Sequence, residues 1–259
     1  MGVNYSGPSK RWDVQDLNND YSNINFDFIA ELEGSAGGGA HLGYTPAGTP
    51  VSNSGITVGM GVDLARLTVA KKNGIATADG MQISNGLYTK IQAYSGYHST
   101  DVNGLQTNEY GVRGQKAVDA TAHRKHVGTL DQRRNVILTT KETKELNKIK
   151  TEFVYKKLKK DYDENIGRDG SFDSLPESVK TTIFSMGWNM GENFIKNGKD
   201  YDPQSASPVN RKYYNALAAG QNSGTWDSLV RVLMASDWSD PGRRNKEGIE
   251  LKKQLDKGN

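Results

Sequence analysis

The first regular run of spaced apolar residues is Ile24, Phe28, Ile29 and Leu32 in NINFDFIAELEG, a repeat that predicts a short amphipathic helix. Glu31 and Glu33 stand on its polar flank and Gly34 supplies a C-terminal stop, so Glu33 sits at a helix end facing whatever follows. Residues 1–24 before it are polar and read as a tail or linker. Beyond it the pattern shortens. HLGYT at 41–45 and GITVGM at 55–60 predict two short strands, separated by PAGTPVSNS with its turn-forming Pro, Gly, Asn and Ser. If TVGMGVD stays extended, alternation puts Thr57, Gly59, Gly61 and Asp63 on one face. From about Lys71 to Asn135 periodicity fades among Gly, Asn and Thr, and the stretch reads as a loop-rich insertion or elaborated lobe.

Helical spacing returns in LTTKETKELNKIKTEFVYKKLKKDYDENIG, where Thr139 and Glu142 have capping-box spacing and Leu146, Ile149, Phe153, Leu158 and Tyr162 keep near one face. Its opposite face is lysine-rich, which reads as a solvated surface before it reads as a polyanion-binding stripe. LPESVKTTIFSMGWNMG places Pro176 near a helix start, with Val179, Ile183 and Met186 at helical spacing. GTWDSLVRVLMASDW and GRRNKEGIELKKQL predict two further helices. The expected class is α+β: a small β-containing lobe at 25–75, an insertion at 76–135, and a larger α-helical lobe at 136–259.

Composition narrows the chemistry. With 259 residues, 35% hydrophobic, the chain can bury a core, while 29 glycines favour long loops and close backbone approaches. A net charge of +3 is too mild to argue for nucleic acid but suits an anionic polymer such as a cell-wall glycan. Without cysteine there is no disulfide or thiolate chemistry, and a cytosolic origin is favoured. MGVNYSGPSKRWD has no apolar leader and no later run approaches the roughly 18 apolar residues of a membrane span. The expectation is a protein made in the cytoplasm without a signal peptide, with no membrane partner.

Two acidic residues, Glu33 and Asp63, flank the glycine-rich stretch. Hydrolysis of a glycosidic bond needs one carboxylic acid to protonate the leaving oxygen and a second carboxylate on the other face to activate water or attack carbon. A threonine hydroxyl at Thr57 beside Asp63 can position the attacking water, which suits an inverting mechanism. By themselves, a glutamate at a helix end and an aspartate after a strand are more often a surface charge and a helix cap.

FIAELEG, then GYTP, then SGITVGMGVDLA resemble the pesticin-type lysozymes, relatives of the phage T4-type lysozyme family, in which a Glu-Gly pair ends the first helix and a Thr-x-Gly-x-Gly-x-Asp-like segment follows. The four helical segments quoted above follow in the family's order, so the resemblance covers about residues 26–255, with 75–135 poorly matched. It implies a lysozyme-like fold with a cleft between the lobes, and a muramidase in which Glu33 is the general acid, Asp63 activates water and Thr57 positions it. It also puts Asn189 and Arg243 or Arg244 on the far wall of the cleft, one arginine pairing with Glu33. Two departures stand out: the unusual SAGGGAH after Glu33, and a longer segment after Asp63. Glu31 competes with Glu33 for the acid's role, although a helix separates the two side chains by about 200° so that only one can face a cleft. The adjacent glycine favours Glu33.

Other constellations carry less. His123 and His126 in HRKH lack a partner cluster of ligand spacing and read as a solvated loop. DYDENIGRDG echoes a calcium loop but has no glycine at its sixth position and no glutamate at its twelfth. No metal or cofactor is expected. Tyr44 is a candidate for stacking on a sugar, as more weakly are Tyr94, Tyr97 and Trp188. The expected function is a monomeric peptidoglycan muramidase of an antibacterial effector or bacteriocin, acting in the periplasm or cell wall of a target cell and neutralised by a cognate immunity protein. The alternatives are a phage endolysin with the same chemistry, a non-catalytic glycan-binding module of lysozyme fold and, disfavoured by Asp63, a lytic transglycosylase.

Overall fold

A computed structural model describes residues 15–21, 23–32, 55–100, 106–109, 111–117, 136–200, 208–235 and 241–258. The chain divides into two compact units, one of residues 1–13 and 33–151, the other of residues 14–32 and 152–259. Helices and small antiparallel sheets together make a mixed architecture compatible with the α+β class.

The first unit holds the strands. β1 (Thr57–Val58) pairs with β2 (Val62–Asp63) as a two-stranded hairpin. TVGMGVD is therefore not extended: it turns over at Gly59 and Gly61, which adopt φ of 58° and 86°. Next comes an antiparallel meander of β3 (Val69–Lys72), β4 (Ile75–Ala78) and β5 (Met81–Ile83). This overturns the loop-like expectation for the start of the 71–135 stretch. The strands are short and half exposed, so their apolar alternation is weak, but Asn73-Gly74 and Asp79-Gly80 form two-residue loops with positive φ throughout, the conformation hairpin twist prefers. After them come α3 (Asn85–Ile91), capped by the Ser84 hydroxyl, and a hairpin of β6 (Tyr97–Thr100) and β7 (Gln106–Glu109).

α4 (Thr140–Asn165) begins in this unit. Its capping box forms as expected: the Thr139 amide donates to Glu142 Oε2 at 2.7 Å and the Glu142 amide to Thr139 Oγ1 at 3.2 Å. Lys90 adds an ion pair to Glu142 at 2.6 Å. The lysine-rich face is laced by pairs one helical turn apart, Glu152–Lys156, Lys157–Asp161 and Lys160–Glu164.

The second unit is helical. α1 (Gln15–Asp20) lies inside the stretch read as a tail; Leu17 and Ile24 are buried, and Tyr21 meets Phe26 and Tyr155 at ring separations of 6.1 and 5.1 Å. α2 (Phe26–Leu32) forms as expected and packs with this unit, outside the β-containing lobe to which the sequence assigned it. The central element is α5 (Glu177–Met190), buried continuously from Val179 to Gly187. Phe26 meets Phe184 edge to face at 5.3 Å, and Trp188 stacks on Phe184 at 5.7 Å, so Trp188 serves packing. A Cβ on Gly187 would lie 2.6 Å from the end of the Leu158 side chain, so α4 sets that leucine against bare backbone there. α6 (Phe194–Lys199) and α7 (Pro208–Ser223) have no counterpart in the sequence reading; α8 (Asp227–Met234) and α9 (Pro241–Gly258) do.

Burial acts to raise the Glu142 carboxyl pKa, but the hydrogen bonds from Lys90 and Thr139 outweigh it and hold the carboxyl below its ordinary value. A depressed folded pKa stabilises the protein above the unfolded value and ceases to as pH falls through the folded one. Thr139→Ala is expected to lower stability by about 1 kcal/mol near neutral pH, the usual worth of a helix cap. In urea titrations that difference should shrink in the acid range where Glu142 protonates.

Candidate functional site

Five of the seven residues singled out from the sequence fall into two groups, one in each unit: Thr57 with Asp63, and Asn189 with Arg243 and Arg244. Glu33 and Tyr44 lie outside the described residues. Glu31 is exposed on α2.

In the first unit, Thr57 and Asp63 are direct cross-strand partners. The Leu64 amide donates to the Ile56 carbonyl at 2.9 Å, which makes the adjacent Thr57/Asp63 pair the non-hydrogen-bonded kind, whose Cα atoms approach to about 4.5 Å. The side chains share a face, as expected, but because the chain folds back and not because it runs straight. Thr57 is buried, and the Asp63 side chain keeps 18% of its exposure.

The Asp63 carboxylate also organises its own surroundings. Oδ2 accepts from the Gly55 amide at 3.2 Å and Oδ1 from the Ala65 amide at 3.0 Å, which caps the single 3-10 turn Leu64–Arg66; Arg66 Nε lies 3.5 Å from Oδ2. A Cβ at Gly55 would sit 2.3 Å from Oδ1, so glycine is required there. An ionised carboxylate offers about four acceptor positions, so these partners leave room for a water. The hairpin tip is fixed by Asn147 on α4, whose Oδ1 accepts from the buried Met60 amide at 3.0 Å. Gly59 lets that side chain in, since a Cβ there would lie 2.3 Å from the same oxygen.

In the second unit, Asn189, Arg243 and Arg244 do come together, around a residue the sequence reading passed over. Glu247, fully buried on α9, accepts from Arg243 Nε at 3.2 Å and from Arg244. Ser185 on α5 donates to Glu247 Oε1 at 2.5 Å and accepts from Arg243 at 3.0 Å. Arg244 donates to Asn189 Oδ1 at 2.5 Å. Both arginines engage Glu247; the pairing of one of them with Glu33, which the resemblance implied, lies outside the described residues. The spacing was visible, since Arg243 and Arg244 precede Glu247 by four and three residues on one helix.

No group of metal-ligating side chains occurs among the described residues. His123 and His126 lie outside them, and Asp163 of the calcium-like segment accepts from the Phe172 and Gly170 amides at 2.8 and 3.3 Å, closing the turn after α4. No helix among the described residues is long and apolar enough to cross a membrane. No protein-family model matches the chain, and no curated protein matches it.

Removing one member of a buried ion cluster leaves the others charged and uncompensated. Glu247→Ala is expected to cost about 3–5 kcal/mol in chemical denaturation, as breaking a buried pair does. A cost no larger than that of an exposed pair, about 0–1 kcal/mol, would mean that the cluster is solvated.

Proposed function

We propose that the chain is a peptidoglycan muramidase that hydrolyses the β-1,4 bond between N-acetylmuramic acid and N-acetylglucosamine. Glu33 protonates the leaving oxygen, and Asp63 with Thr57 holds and deprotonates the attacking water. The observation that supports this best is the pairing of Thr57 with Asp63 across a tight hairpin. It sets a hydroxyl beside a carboxylate on one face, with the carboxylate already oriented by two backbone amides. Glu33 takes its role from the resemblance of FIAELEG and its following glycine to the end of the first helix in pesticin-type lysozymes. The setting we assign is the wall-degrading domain of an antibacterial effector or bacteriocin, with an immunity protein as its partner in the producing cell.

One observation favours a second reading. Both Asp63 oxygens bind main-chain donors, which is what an aspartate does as a structural cap, and a glycan-binding module could keep it for that reason alone.

Mass spectrometry of soluble products from purified peptidoglycan separates the two. Wild type should release fragments with reducing muramic-acid ends, and Glu33→Gln should lower that release by at least about 10²-fold with its far-UV circular dichroism unchanged, the scale of a lost general acid. Full activity in Glu33→Gln rejects the assignment of the acid. Intact glycan that co-sediments with wild type identifies a binder, and anhydro ends identify a transglycosylase.

A further inference from the structure

The hairpin that carries Thr57 and Asp63 is held at both ends. At the open end the Asp63 carboxylate accepts from the Gly55 and Ala65 amides. At the closed end Met60 is fully buried, and its amide donates to Asn147 Oδ1 at 3.0 Å. The open-end bonds lie within the hairpin and the turn after it, so they travel with it. The Asn147 bond instead runs to α4, a helix of 26 residues, and both of its partners belong to the first unit. Thr143 and Asn147 stand one helical turn apart on α4 and are both buried. The Thr143 hydroxyl donates to the Thr139 carbonyl at 3.0 Å, while its methyl carbon lies 3.7 Å from the point a Gly59 Cβ would occupy. Val58, Met60 and Val62 are buried too, but apolar burial has no direction. The hydrogen bond from Met60 to Asn147 has one.

We infer that Asn147 is a positioning residue for the Thr57/Asp63 pair: through the Met60 amide it sets where the hairpin stands on α4, and so where the hydroxyl and the carboxylate face. The inference rests on the muramidase reading for its effect on catalysis, and on the geometry alone for the coupling of tip to pair. Met60 is three residues from Thr57 and three from Asp63, and each strand between is two residues long. A displacement at the tip therefore has no ladder along which to die away. The flanking glycines, Gly59 and Gly61, bring no side chains to hold the tip, and glycine-rich strands specify their placement weakly. An acceptor supplied from α4 makes up for that. Catalysis is sensitive to such placement, since moving a reacting group by about 1 Å can cost about 10²-fold in rate.

Two variants of the full chain test this. Asn147→Leu keeps the bulk of the side chain and removes the acceptor; Asn147→Asp keeps the accepting oxygen. Amide hydrogen exchange measured by NMR reads the coupling. Asn147→Leu should speed exchange by about tenfold, the scale of one net hydrogen bond, at Met60 and equally at Gly55 and Ala65, the amides that Asp63 holds at the far end. Asn147→Asp should return all three toward wild type. In assays of reducing-end release from soluble peptidoglycan fragments, Asn147→Leu should lower kcat by about 10-fold to 10²-fold with KM unchanged, and Asn147→Asp should recover it. Both variants are compared at unchanged far-UV circular dichroism; if Asn147→Leu does not fold, Asn147→Ser, whose side chain is shorter, takes its place with the same expectations. Faster exchange confined to Met60 overturns the inference, because the tip is then held for itself alone. Wild-type kcat in Asn147→Leu overturns it, as does an Asn147→Asp variant that behaves like Asn147→Leu. The muramidase reading fails separately: if wild type releases no reducing ends, that reading falls and the exchange pattern alone decides whether Asn147 positions the pair.

Discussion

Buried backbone N–H groups need acceptors, and in the first unit the strands are too short to supply them. β1 and β2 are two residues each, so a regular ladder satisfies little of the hairpin. Side chains take over. Asp63 accepts from Gly55 and Ala65, Asn147 from Met60, and Asp79 from Thr68. Each of these acceptors reaches across a turn or from a helix to a loop, and each fixes a piece of chain that hydrophobic burial alone would leave free to slide. The glycine-rich sequence belongs to the same arrangement: at Gly55 and Gly59 the space a Cβ would need is filled by the oxygen that does the accepting.

That constraint bears on chemistry. A carboxylate held by two amides does not have to reorganise before it orients a water, and preorganised groups of this kind are what lower a barrier most effectively. Thr57 occupies the closest cross-strand position the hairpin offers to that carboxylate.

Much of the helical half was legible in the sequence because its signals are local. The Thr139/Glu142 spacing forms the capping box it predicts, and Leu146, Leu158 and Tyr162 are fully buried on the face their spacing marks. Tyr21, by contrast, makes its aromatic contacts with partners such as Tyr155, far along the chain, and a polar segment around a few apolar residues reads as a tail when those partners are not in view. The meander was missed for a different reason. Its strands are mostly exposed and carry little alternation, while the signal lay in two turn dipeptides, Asn73-Gly74 and Asp79-Gly80. α7 was missed although Tyr213, Ala216, Leu217 and Gly220 recur at helical spacing, a pattern diluted by the polar residues between them. At the candidate site, Asp63 and Thr57 stood out by residue type, but Asn147 did not, because a lone asparagine in a lysine-rich helix announces nothing until Met60 is found beneath it.

The two units use buried polarity in opposite ways. In the first, neutral amides are paired with side-chain oxygens of Asp63, Asp79 and Asn147. In the second, charge is concentrated: one fully buried carboxylate organises two guanidinium groups, a serine and, through Arg244, an exposed asparagine. A hydrophobic cluster of the same volume would often be as stable or more so, which makes stability a poor reason for keeping the ions. What ions add is direction. A guanidinium locked to Glu247 has a fixed plane, and a fixed plane dictates which atom of Asn189 turns inward. The consequence is a surface amide with one orientation, a property that packing of apolar side chains could not confer at an exposed position.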